Sequence, residues 1–143
     1  MKLRFALVLC AVVPFLGSCG QMTASTNVGQ PTPQAQLMQS MLSNVNQIRA
    51  FVYGGGSQAD ATQAAQALVA SSQRLPDLFP PGQASVDYVD MSPERARGAP
   101  IAMNQAATAL LAAVQTGNRA TIGDQLTASE RDGCGFCHLS TAR

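Results

Sequence analysis

A chain of 143 residues with nine basic and eight acidic side chains, formal charge +1, holds one domain and offers no basic patch for nucleic acid. Its one lysine, Lys2, and Arg4 sit at the extreme N-terminus, so the rest of the chain carries seven arginines against eight acids and is slightly acidic. Hydrophobic residues make up 46% of the composition and charged residues 12%, enough apolar surface for a single core.

Residues 1–18 read as a secretory signal. Lys2 and Arg4 form the positive start, and residues 5–16 are an apolar run containing Pro14. The run is too short to span a bilayer, which takes about 20 residues. Leu16-Gly17-Ser18-Cys19 resembles a bacterial lipobox, in which Cys19 becomes the first residue of the mature protein and carries lipid. The alternative is ordinary cleavage nearby, with Cys19 left as a thiol. Residues 19–33 then form a lipidated cysteine and a tether of Gln, Thr, Ser, Asn, Gly and Pro with little to bury. The domain proper is residues 34–143.

Four helical segments follow. The first spans about residues 34–53, where Leu37, Met41, Val45, Ile48 and Val52 recur at helical spacing and Gly54-Gly55-Gly56 ends the run. The second, about residues 59–75, is rich in Ala and Gln, has Ser57 or Asp60 as its cap, and carries Leu68, Val69 and Leu75. Pro76, Pro80, Pro81 and Gly82 forbid regular structure after it, so residues 77–98 read as a long connection with room for a short turn at Ser92-Pro93-Glu94. The third helix, about residues 100–116, opens on Pro100 and shows Met103, Ala106, Leu110, Ala113 and Val114 on one stripe. Gly117-Asn118 ends it. The fourth starts near Arg119 and aligns Ile122, Leu126, Ser129, Gly133 and Cys137. No β-type alternation occurs, so the fold class is all-α, and the short loops favour antiparallel neighbours.

The fourth helix runs into Cys134-Gly135-Phe136-Cys137-His138. Cys-x-x-Cys-His is the attachment signature of c-type haem. The two thiols add across the porphyrin vinyl groups, and the imidazole binds iron. On a helix, Cys134 and His138 are four residues apart with Cys137 beside them, so one face can hold a flat ring. His138 is the chain's one histidine and stands where the motif needs it. Three other readings are weaker. A zinc site needs further ligands, and the remaining cysteines, Cys10 and Cys19, belong to the export segment. A thioredoxin-type dithiol needs a βαβ context. A disulfide between Cys134 and Cys137 would close a tiny, strained loop. Export agrees with haem, because bacteria attach it outside the cytoplasm.

On these residues the chain resembles the class II c-type cytochromes, the cytochrome c′ family. The likeness covers the whole mature domain. It includes Ala50-Phe51-Val52-Tyr53-Gly54 at the first helix end and Leu75-Pro76-Asp77-Leu78-Phe79-Pro80-Pro81-Gly82 after the second. Ala99-Pro100-Ile101, Gly117-Asn118 and the terminal motif complete the order. The chain departs from the family at Ala102, where tryptophan is common, at Gly135, where a basic residue is common, and at Arg143, one position later than the family's arginine.

The resemblance implies an antiparallel four-helix bundle, up-down-up-down, with one covalent haem c near the end of the fourth helix. It makes His138 the proximal iron ligand and puts Met38 at the distal position, as ligand or as pocket wall. A Met38 sulfur on iron implies a periplasmic electron-transfer protein working with redox partner proteins. A pocket wall implies five-coordinate haem that binds NO or CO. Methionine at helical spacing is also ordinary core filling. A thiol-disulfide oxidoreductase using Cys134 and Cys137 is the reading from another class. No general acid, base or nucleophile suggests an enzyme. Membrane contact is expected through the lipid at Cys19, and a homodimer stays open.

Overall fold

The computed structural model describes residues 30–80 and 93–138. The export segment, Cys19, most of the tether, residues 81–92 and residues 139–143 lie outside them.

Helix α1 (Pro33–Val52) begins one residue before the expected start. Thr32 caps it, its hydroxyl accepting from the Ala35 amide at 3.2 Å, and Pro33 sits where no N–H is needed. It ends at Gly54, whose φ of +87° suits glycine. The Gly54 amide donates to the Phe51 carbonyl and the Gly55 amide to that of Ala50, the paired bonds of a Schellman ending. Leu37, Met41, Val45, Ile48 and Phe51 are buried, as the spacing predicts except that Phe51 takes the place given to Val52, which is half-buried.

Helix α2 (Gln58–Gln73) starts at Ser57, which caps the Asp60 amide at 3.1 Å. Its core side is mostly small: Ala61, Ala64, Ala65, Leu68, Ser71 and Ser72. Small residues let α1 and α4 close in on it. A one-turn helix α3 (Leu75–Leu78) then forms where irregular chain was expected, because Pro76 falls in its first turn, where a missing amide costs nothing.

Helix α4 (Pro93–Thr116) corrects the expected start at Pro100. Pro100 lies inside the helix and has no N–H to give the Ala96 carbonyl. The turns ahead of it hold through tertiary contacts to the C-terminal segment. Helix α5 (Arg119–Ser129) follows after Gly117 (φ +71°) and Asn118, whose side chain caps the Ala120 and Thr121 amides. It runs without a break into a π-helical turn, Glu130–Cys134, and a final turn α6 (Gly135–His138).

The four long helices α1, α2, α4 and α5 close a ring, each packing on two neighbours. Gln34 reaches the Leu78 carbonyl, Gln58 the Val114 carbonyl, and Asn104 the Ser72 hydroxyl. The first two bonds tie helix starts to helix ends, and Val52 at the end of α1 meets Gly123 near the start of α5, as in an up-down-up-down bundle. Ile48, Leu68, Leu110, Val114 and Ile122 are fully enclosed at its centre.

Candidate haem-attachment site

The site is the place where α5 stops being an α-helix. In the π-turn the Gly135 amide bonds to the Glu130 carbonyl, five residues back, so the turn holds one residue more than an α-turn. Gly133 lies at its inner side, buried against α4. A Cβ there would come within 2.9 Å of the Ala106 Cβ and 3.0 Å of the Met103 sulfur. Ser129, also buried, donates to the Ala106 carbonyl at 3.1 Å one turn earlier. The expected stripe Ile122, Leu126, Ser129 and Gly133 is therefore buried throughout, but it does not continue to Cys137. Gly135 takes the next buried place, with Cys134 and Cys137 half-buried on either side of it.

Cys134, Cys137 and His138 thus lie together on one continuous helical segment, and the two cysteines are not joined in a disulfide. Cys134 also packs on the edge of the bundle core. His138 is exposed. Among the described residues no three His, Cys, Asp or Glu side chains converge on a point that could hold a single metal ion. The donors are spread along a helix edge, which suits attachment at separate points of a flat ring. Burial pushes both thiols above their ordinary value. Glu130 adds to the effect at Cys134 and the neighbouring Cys134 adds to it at Cys137, where Arg95 opposes it. An activated dithiol needs the opposite shift.

Two partners of this segment were not legible in the sequence. Arg95, expected in a long connection, belongs to the start of α4. Its Nε donates to the Phe136 carbonyl at 2.6 Å, and its guanidinium lies 5.1 Å from the centre of the Phe136 ring. Arg49 of α1 pairs with Glu130 of the π-turn. Extending the α4 stripe backwards from Met103 to the buried Ala99 would have revealed the longer helix. Nothing in the sequence marks the Arg49–Glu130 pair, 81 residues apart.

Met38 is half-buried and packs on the edge of the core, whereas Met41, one turn on, is an interior residue at 7% exposure. Met38 shares a strip of α1 with Arg49 and Val52, eleven and fourteen residues ahead, close to whole numbers of turns. Both of those residues face the last helix: Arg49 meets Glu130, and Val52 meets Gly123. Met38 lies fourteen residues back from Val52 on α1, and Cys137 lies fourteen on from Gly123 in the last helical stretch. The π-turn and α6 pack mainly on α4 and on α5, not on α1.

No helix among the described residues is long and apolar enough to cross a membrane. No curated protein and no solved structure matches the chain significantly. The family described as Cytochrome C′ does match, over residues 32–140, which takes in all four bundle helices and the Cys134–His138 motif. The chain belongs to the cytochrome c′ family, c-type haem proteins of electron transfer or gas binding whose cofactor is covalently attached haem c.

Proposed function

We propose that this protein is a lipid-anchored periplasmic electron carrier. Cys134 and Cys137 hold the haem through thioethers, His138 is the proximal iron ligand, and Met38 is the distal one. The observation that supports the reading is that both thiols and the imidazole lie on one continuous helical segment, with Cys134 packed on the edge of the bundle core.

When bound, the haem supplies a one-electron couple. The chain does the rest. The π-turn and Gly133 press the attachment segment against α4. The core below Cys134 keeps water from one side of the site. Met38 supports the carrier reading because its thioether stands at the core edge rather than within it, on the strip of α1 that faces the last helix. The raised thiols argue against a dithiol oxidoreductase, and the described residues show no strand to build its fold. Export and lipidation at Cys19 are supported by the apolar run of residues 5–16 and the Leu16-Gly17-Ser18-Cys19 sequence.

Intact mass and a visible spectrum test the proposal. Protein matured where haem is attached should gain about 616 Da on the segment carrying Cys134 and Cys137. Its reduced spectrum should be sharp and unchanged by CO, and Met38→Ala should make it broad and CO-sensitive. A CO-sensitive spectrum in the unaltered protein would turn the assignment to a gas-binding haem. A colourless protein with two titratable thiols would end the haem reading.

A further inference from the structure

The turns of α4 ahead of Pro100 form a seat for Phe136, one of the two residues between the attachment cysteines. Arg95 supplies one wall of it. Its guanidinium lies 5.1 Å from the ring centre while its Nε donates to the Phe136 carbonyl at 2.6 Å. Gly98, three residues on, supplies the other: a Cβ there would be 3.4 Å from the ring's Cζ. The bond from Arg95 to the Phe136 carbonyl ties the start of α4 to the span between the cysteines. A short bond from a charged donor is the stronger kind of hydrogen bond. The same charge reaches Cys137, where it opposes the effect of burial on the thiol.

Resting on haem attachment at Cys134 and Cys137, we infer that Arg95 is a positioning residue for the attachment segment and a fixed positive charge that holds the haem reduction potential up. The ring and carbonyl of Phe136 are gripped together, so the span between the cysteines is held against α4. A cation beside the site favours the ferrous state, because that state carries one positive charge fewer than the ferric.

Two variants separate position from charge. Arg95→Lys keeps the charge but loses the planar fork that stacks and donates at once, and Arg95→Gln loses the charge as well. Intact mass comes first. A haem increment missing from the unaltered protein defeats the attachment reading itself and is distinct from any failure of Arg95. In a redox titration of the loaded proteins, Arg95→Gln should lower the equilibrium constant for reduction about fivefold, about 40 mV at 59 mV per tenfold. Arg95→Lys should stay within about twofold of the unaltered protein, about 18 mV on the same scale. Amide exchange over residues 134–138 should quicken in both variants. An unchanged potential in Arg95→Gln, or an equal fall in both variants, overturns the electrostatic role. Unchanged exchange in both overturns the positioning role.

Discussion

Replacing Gly133 by alanine adds one methyl group at the tightest glycine among the described residues. That Cβ would meet the Ala106 Cβ at 2.9 Å and the Met103 sulfur at 3.0 Å. Carbon–carbon contacts relax near 3.5–4.0 Å, so a gap of most of an ångström must open between the π-turn and α4. Met103 is itself buried, at 4% exposure, and Ala106 has no flexible end to move. Overpacking of this kind costs about 1–3 kcal/mol, and the better helix propensity of alanine returns about 0.5–1 kcal/mol. The net expectation is a loss of about 1–2 kcal/mol, or roughly 4–9 °C in Tm for a domain of this size. Gly123→Ala is the internal control. Its Cβ would sit 3.4 Å from the Val52 Cγ1, and it should be neutral or slightly stabilising through the same propensity gain. Both variants are compared by denaturant unfolding of the haem-loaded protein, where the covalent cofactor stays on the chain in both states. If Gly133→Ala were as stable as Gly123→Ala, the account of the π-turn as a close seat on α4 would be wrong.

Gly117→Ala should cost about 1–2 kcal/mol, because the residue holds φ +71° and a Cβ there would crowd the Gln58 amide at 3.0–3.2 Å. Denaturant midpoints measure it, and a midpoint equal to the unaltered protein's would refute the turn geometry. Removing the Arg49–Glu130 pair, by Arg49→Gln, should cost under about 1 kcal/mol, since both side chains are over a third exposed and solvent screens the charges. A larger loss by thermal unfolding would mean that the pair does more than join two helices. In the haem-free chain, the raised thiols of Cys134 and Cys137 should alkylate slowly at neutral pH and quicken only above the ordinary value of 9.0. Folding keeps these thiols protonated where the unfolded chain would release them. Any stability of that form should therefore decline as pH rises from the ordinary thiol range through the raised one. Rapid alkylation at pH 7 would contradict the burial of both sulfurs.

The chain itself determined the cofactor motif and the helical class. Cys134, Cys137 and His138 are local, and their spacing on any helix puts them on one edge. The stripe of α1, the Ser57 and Asn118 caps and the stops at Gly54 and Gly117 are likewise properties of a few neighbouring residues. What the sequence misread was Pro100. Local chemistry makes a proline a helix start, and only contact with a remote segment makes the turns before it worth forming. Arg95 and Gly98 grip Phe136, some forty residues away, and those contacts hold α4 from Pro93 onward. The π-turn has the same origin. Nothing in residues 130–134 demands an extra residue in the turn, but Gly133 can lie against Met103 and Ala106 while the cysteines stay at the edge once it is there. Met38 could be placed on its helix from sequence, but the side of the bundle it faces follows from the Val52–Gly123 and Arg49–Glu130 contacts between remote helices. Short-range preference settles which residues coil. Packing between distant segments settles where a coil begins, how tightly it winds and what it faces, because those choices are stabilised only by surfaces that meet after the chain has closed.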